Sequence, residues 1–187
     1  MPSSVHVDLE LPEWAVVGAA RRAHIARVAA LVRSWADERD LPAYEKSRWF
    51  QAAILHDALR DASPHELRTR VPQEFASWPD LLLHGPAAAM RLRKDHMRDE
   101  GVLTAITYHT VGHPELDEAG RALYLADFLE PGRTFDPLGR AAWRARMPHD
   151  MNAVLREVVG ARIQHMVHSQ RPIRSETLAF WNQITSR

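Results

Sequence analysis

The chain has 187 residues, 45% of them apolar, with 24 basic and 24 acidic side chains and no cysteine. That length and apolar share suit one sizeable core in one domain, and the balanced charge gives no bulk attraction to nucleic acid or to an anionic membrane. The lack of thiols excludes disulfides, thiolate zinc sites and thiol catalysis together.

The opening string MPSSVHVDLELPEW has neither a basic nor an apolar leader segment, and no later run approaches the roughly 18 apolar residues of a membrane span, so a cytoplasmic protein is expected. Alternating strand patterns are nearly absent, whereas apolar residues recur at helical spacing throughout. A first helix is predicted from Trp14 to about Arg39, burying Val17, Ala20, His24, Val28 and Leu31. A second runs from near Pro42 to about Arg60, with Trp49, Ala52, Ala53, Leu55, His56 and Leu59 inward. Ser63, Pro64 and Glu66 form a helix-start signature for a short third one.

Gly85-Pro86 interrupts or restarts a helix just after His84. GVLTAITYHTVGHP is a helix that Gly112 and Pro114 end, and PELDEAGRALYLADFLEPGR is one closed by Pro131-Gly132. PHDMNAVLREVVGARIQHMVHSQ and SETLAFWNQITS complete the series. The expectation is an all-α fold of about seven or eight helices over residues 1–187, with residues 1–20 as an extension leading into the first helix.

Histidine is the compositional outlier, with 11 copies. His24, His56 with Asp57, His84, His109 and Asp127 each lie in or beside an apolar helical segment, where an unpaired imidazole or carboxylate costs roughly 1 to 3 kcal/mol or more. A shared cation removes that cost. Nitrogen and carboxylate ligands without sulfur suit iron, manganese or zinc rather than calcium. Neighbours on a helix diverge by about 100°, so His56 and Asp57 can reach two ions at the helix edge, the carboxylate bridging them. A lone His on an apolar face is otherwise a hydrogen-bonded core residue, and that reading stays open for His24 taken alone. His113 is expected exposed beyond the end of its helix, and His6, His65, His96, His149, His165 and His168 solvated.

In this order the residues resemble the H…HD…D signature of the HD-domain metal-dependent phosphohydrolases, carried here by His24, His56-Asp57 and Asp127. His84 and His109 resemble the subset that holds two metals. LLHG followed by small residues, AITYHTVGHP, LYLADFLEPGR and the final RPIRSETLAFWNQI are similar to strings of the YqeK-type symmetrical bis(5'-nucleosyl)-tetraphosphatases, from roughly Arg21 to the end. The resemblance implies a single HD domain with six metal ligands, His24, His56, Asp57, His84, His109 and Asp127. It also implies a transition-metal pair, iron first and manganese, cobalt or zinc as alternatives, and cleavage of diadenosine tetraphosphate to two ADP. The chain departs from that family at Arg60, where a Lys is usual; Arg keeps the charge but is bulkier and forked.

Such a centre needs no protein nucleophile, because two cations lower the pKa of a bound water that attacks phosphorus as hydroxide. Asp57 and Arg60 are the expected catalytic residues, and Arg60, Arg133 and Arg27 the expected polyphosphate contacts. Thr110 is read as a helix-end cap, and Tyr124 as core. The competing readings are an HD phosphohydrolase acting on a nucleoside monophosphate or a guanosine polyphosphate, a nucleotide-binding regulator without turnover, and a structural helical protein. The expected partner is a small nucleotide, with no nucleic acid and no membrane, and a homodimer is compatible with the sequence.

Overall fold

Residues 10–186 are described by the structure, a computed structural model, and every regular element among them is helical. α1 (Ala19–Glu38) starts later than Trp14 because the preceding segment is spent on another partner. Val16 N donates to Ala58 O (2.8 Å), Asp61 N to Val16 O (3.2 Å) and Gly18 N to Asp61 Oδ2 (2.7 Å). Groups used in this strap cannot also make i−4 bonds. The buried stripe of α1 is His24, Ile25, Val28, Ala29, Val32, Trp35 and Ala36, so His24 and Val28 face inward as expected while Ala20 is exposed and Leu31 half-buried.

α2 (Ala43–Leu55) stops short of Arg60. From His56 the chain tightens into successive i+3 turns, Ala58 N to Leu55 O (3.1 Å), Arg60 N to Asp57 O (2.9 Å) and Ala62 N to Leu59 O (3.1 Å). α3 (Pro64–Arg70) has the predicted reciprocal cap between Ser63 and Glu66. Two short 3-10 helices, Gln73–Phe75 and Asp80–Leu82, lead into α4 (His84–Lys94). Gly85-Pro86 falls within the first turn of α4, where a missing N–H is harmless.

α5 (Glu100–Tyr108), α6 (Glu118–Leu129), α7 (Pro137–Arg146) and α8 (Met151–His168) each begin on an Asp whose carboxylate accepts a backbone N–H: Asp99, Asp117, Asp136 and Asp150. α9 (Ser175–Thr185) ends the series at nine α-helices among the described residues. The addition to the expected seven or eight is α7, whose apolar Leu138, Ala141 and Ala142 are exposed while its packed face carries Arg140 and Trp143, so its pattern does not announce a buried helix. α1, α2, α5 and α6 pack on one another, α4 lies along α5, and α8 pairs with α9. Trp35, Trp49, Tyr124 and Phe180 are the largest fully buried side chains of this core.

Candidate metal centre

Five helix ends meet at one place. His56 caps the carboxy end of α2 and Asp57 follows it, His109 caps α5, and Asp127 lies in the last turn of α6; His84 opens α4, and His24 sits near the start of α1. Carbonyls at helix ends lack intrahelical partners, and the imidazoles take them up. His56 Nδ1 donates to Ala53 O (2.8 Å), His109 Nδ1 to Ile106 O (2.8 Å) and His84 Nδ1 to Leu81 O (3.0 Å). His24 Nδ1 instead donates to Glu130 Oε1 (3.2 Å). These acceptors fix the tautomer, so all four Nε2 lone pairs point at the same interior.

The centre of that interior is Asp57. Its Oδ1 lies 3.2 Å from His84 Nε2 and 3.5 Å from His109 Nε2, and its Oδ2 lies 3.5 Å from His56 Nε2 and 3.7 Å from His24 Nε2. One carboxylate oxygen therefore serves each imidazole pair, giving two donor groups, His24-His56-Asp57 and Asp57-His84-His109. Asp127 Oδ1 lies 3.1 Å from His24 Nε2 and joins the first group from its side. Both residues of the His56-Asp57 pair reach the centre because the chain has left the helix there, which removes the divergence expected of helical neighbours.

The residues fit a divalent cation. His24 Nε2 and His56 Nε2 are buried without a hydrogen-bond partner. His84 Nε2 and His109 Nε2 stand 3.1 Å apart, about the spacing of adjacent nitrogens on one ion bound at roughly 2.1 Å. Burial opposes charge on Asp57, yet the imidazoles of His56, His109 and His84 hold its carboxyl well below the usual range. Burial likewise opposes charge on Asp127, and His24, His56 and His109 depress its pKa. His24 is pushed down by burial but raised on balance by Asp127 and Glu130, and His109 is raised by Asp57 against its own burial; burial lowers His84. An ionised, enclosed carboxylate requires positive charge beside it.

Above the cluster opens a cleft of about 1030 Å³ whose lining includes Arg21, Arg60, Arg133, Arg162, Arg171 and Arg174. Arg60 is on this lining, and among the described residues its guanidinium makes no hydrogen bond. Arg133 is also there, with Nη2 on Asp127 Oδ1 (2.8 Å). Arg27 is not: its Nε donates to Glu130 Oε2 (2.5 Å), which turns it away from the cleft. His165 and His168 are exposed as expected but also line the cleft. Thr110 takes Arg162 Nη2 on its carbonyl (2.6 Å) rather than capping α5. His113 is half-buried, stacked on Tyr108 at 4.1 Å, and His6 lies outside the described residues.

Two residues at the centre are absent from the sequence reading. Arg21 Nη1 donates to Asp57 Oδ2 (2.6 Å), and its position one turn before His24 was the available signal. Glu130, three residues after Asp127, is 2% exposed. In a chain this rich in charged residues, neither stands out without coordinates.

A helical fold with a buried His/Asp cluster beneath a cationic cleft defines a metal-binding phosphohydrolase. The chain belongs to the HD domain family, whose model matches residues 21–132. It is similar to the symmetrical bis(5'-nucleosyl)-tetraphosphatase of Halalkalibacterium halodurans, 32% identical over 139 residues, 71% of this chain and 73% of that protein. The protein of the same name from Bacillus subtilis is 26% identical over 141 residues, 72% of this chain and 75% of its own. In fold it is similar to a crystal structure from Clostridium acetobutylicum described as a predicted HD superfamily hydrolase involved in NAD metabolism, with a TM-score of 0.77, 23% identity and 90% of each chain covered.

Proposed function

We propose that this chain, acting as a single HD domain, hydrolyses dinucleoside polyphosphates, with symmetrical cleavage of diadenosine tetraphosphate to two ADP as the leading case. The observation that carries it is the division of Asp57, one oxygen to each imidazole pair, at the floor of an arginine-lined cleft of about 1030 Å³. A cleft at the upper end of the usual range of about 300–1000 Å³ for ligand pockets has room for an extended polyphosphate substrate. The names of the two tetraphosphatase relatives support the choice of substrate.

His24, His56, Asp57 and Asp127 would hold one ion and Asp57, His84 and His109 the other, iron being the leading candidate pair and manganese, cobalt or zinc the alternatives. When bound, the ions supply Lewis acidity and an activated water. The protein's part is positional. Asp57 sets the spacing of the two donor groups, and the Nδ1 bonds keep every Nε2 available. Arg60 and Arg133 offer guanidinium forks to the phosphate oxygens, and Arg21 keeps Asp57 in place. Among the described residues no helix is long and apolar enough to cross a membrane, and a cytoplasmic enzyme fits this reading.

The test is a nucleotide panel offered to the chain loaded in turn with iron, manganese and cobalt. ADP as the sole nucleotide product of diadenosine tetraphosphate supports the proposal. Inorganic phosphate from a nucleoside monophosphate, or nucleotide binding with no product under any metal, overturns the substrate assignment.

A further inference from the structure

The four imidazoles differ in what stands behind them. His56, His84 and His109 lean on backbone carbonyls, whereas His24 leans on a carboxylate. That carboxylate, on Glu130, is 2% exposed and saturated with donors. Arg27 Nε reaches Oε2 at 2.5 Å, Gly132 N reaches Oε2 at 2.6 Å, and Arg27 Nη2 lies 3.3 Å from Oε1. Arg133 Nε stands 3.7 Å from Oε1.

Nothing in the helix asks for this residue. Glu130 is the carboxy-terminal cap of α6, the end where the helix dipole disfavours an anion, and burial adds a second cost. Both costs are offset by the ring of donors that encloses it. An anion behind an imidazole makes its far nitrogen a stronger donor than a neutral carbonyl does. It also fixes the plane of the ring.

We propose that Glu130 is a positioning residue that strengthens His24 as a ligand and so adds to the inequality that Asp127 begins, the His24-His56-Asp57-Asp127 position holding its ion more tightly than the Asp57-His84-His109 position. Arg27 belongs to the same device: it holds Glu130 rather than the substrate. This inference rests on the metal reading under Proposed function, and it is tested by binding rather than turnover.

The full chain is stripped with chelator and titrated with manganese, following free ion by its paramagnetic resonance, in wild type, Glu130→Gln, Glu130→Ala and His84→Ala. Wild type is expected to bind in two steps. Glu130→Gln, nearly isosteric, and Glu130→Ala are expected to weaken the tighter step by about 10–100-fold and leave the weaker one in place. His84→Ala is expected to remove the weaker step alone. Arg27→Met, which leaves Glu130 present but loosened, is expected to fall between wild type and Glu130→Ala. Equal affinities in wild type, or a tighter step unchanged in both Glu130 variants with intact helical circular dichroism, overturn the proposal while leaving the metal reading standing. Failure of wild type to bind any cation overturns that reading and this inference with it.

Discussion

His84 Nε2 and His109 Nε2 face each other at 3.1 Å, each ring having committed its Nδ1 to a backbone carbonyl. Two lone pairs so placed repel unless a positive charge lies between them. Charge is thus part of the packing, and the fold is expected to be stronger with metal than without it. At an ion concentration of 100 to 1000 times the dissociation constant, linkage gives roughly 3 to 4 kcal/mol, and a chain of this length turns that into about 10 °C of Tm. Thermal unfolding of the metal-loaded and chelator-treated protein at one pH measures it, and coincident curves count against a metal at this place.

The close approach of those two rings depends on Gly85. A Cβ there would stand 2.6 Å from Ile106 O and 2.9 Å from Thr107 O, both backbone atoms of α5 that cannot swing aside, and 3.4 Å from His109 Cε1. Gly85→Ala is therefore expected to push α4 off α5, costing about 1–3 kcal/mol and lowering the affinity of the His84-His109 position. Denaturant unfolding and metal content check the two effects separately; a substitution neutral in both would show that the helices have slack at this crossing.

Much of this arrangement was legible before any coordinates. Asp127 stands in an unbroken apolar run, and His56, His84 and His109 stand beside helix ends, where a polar side chain without a ligand is costly. The parts that were hidden are those whose meaning depends on a partner distant in sequence. Glu130 and Arg27 meet across a separation of 103 residues, and a Glu near an Arg in a charged chain carries no signal of burial. α7 was invisible for a related reason. Its start is written in Asp136 and Pro137, but in its body, PLGRAAWRAR, the apolar Leu138, Ala141 and Ala142 face solvent, and it docks through Trp143 beside Phe128 and through Arg144, whose Nη1 donates to Leu129 O at 2.7 Å. The late start of α1 has the same origin, since the strap from Val16 to Ala58 is a long-range backbone pairing.

Away from the metal centre, Arg48 ties α2 to α5 and α6. Its Nε donates to Asp99 Oδ2 (2.6 Å) and its Nη2 to Asp117 Oδ2 (2.6 Å), while Asp99 and Asp117 cap those two helices. Arg48 lowers the Asp99 pKa from its ordinary value. A depressed carboxyl stabilises the fold above its unfolded pKa of about 3.9 and loses that contribution as pH falls through the lower folded value. Arg48→Met is expected to cost about 1 kcal/mol near neutrality, because the pair is partly solvated, and less as Asp99 protonates. Urea unfolding of both proteins from pH 7 down to pH 3 should show the gap narrowing; a constant gap would assign the loss to packing of the Arg48 stem.

Arg60 is a charge in the cleft with little to do in the protein itself. It is half-buried on the lining, and among the described residues its guanidinium has no hydrogen-bond partner. A cation held there beside a metal-binding cluster adds repulsion unless an anion arrives with the substrate. If the phosphates of the substrate are that anion, removing the charge should slow the reaction without emptying the metal centre. Arg60→Met is expected to lower kcat/KM by about 10²–10³-fold, with metal content equal to wild type. Arg60→Lys restores the point charge but not the fork, so it is expected to recover most of the rate and to change the preference among polyphosphates of different length. Steady-state kinetics on tri-, tetra- and pentaphosphate dinucleotides, run beside metal analysis of each variant, separate the two effects. A full rate in Arg60→Met would assign phosphate binding to the other arginines of the cleft, with Arg133 and Arg162 the next to substitute.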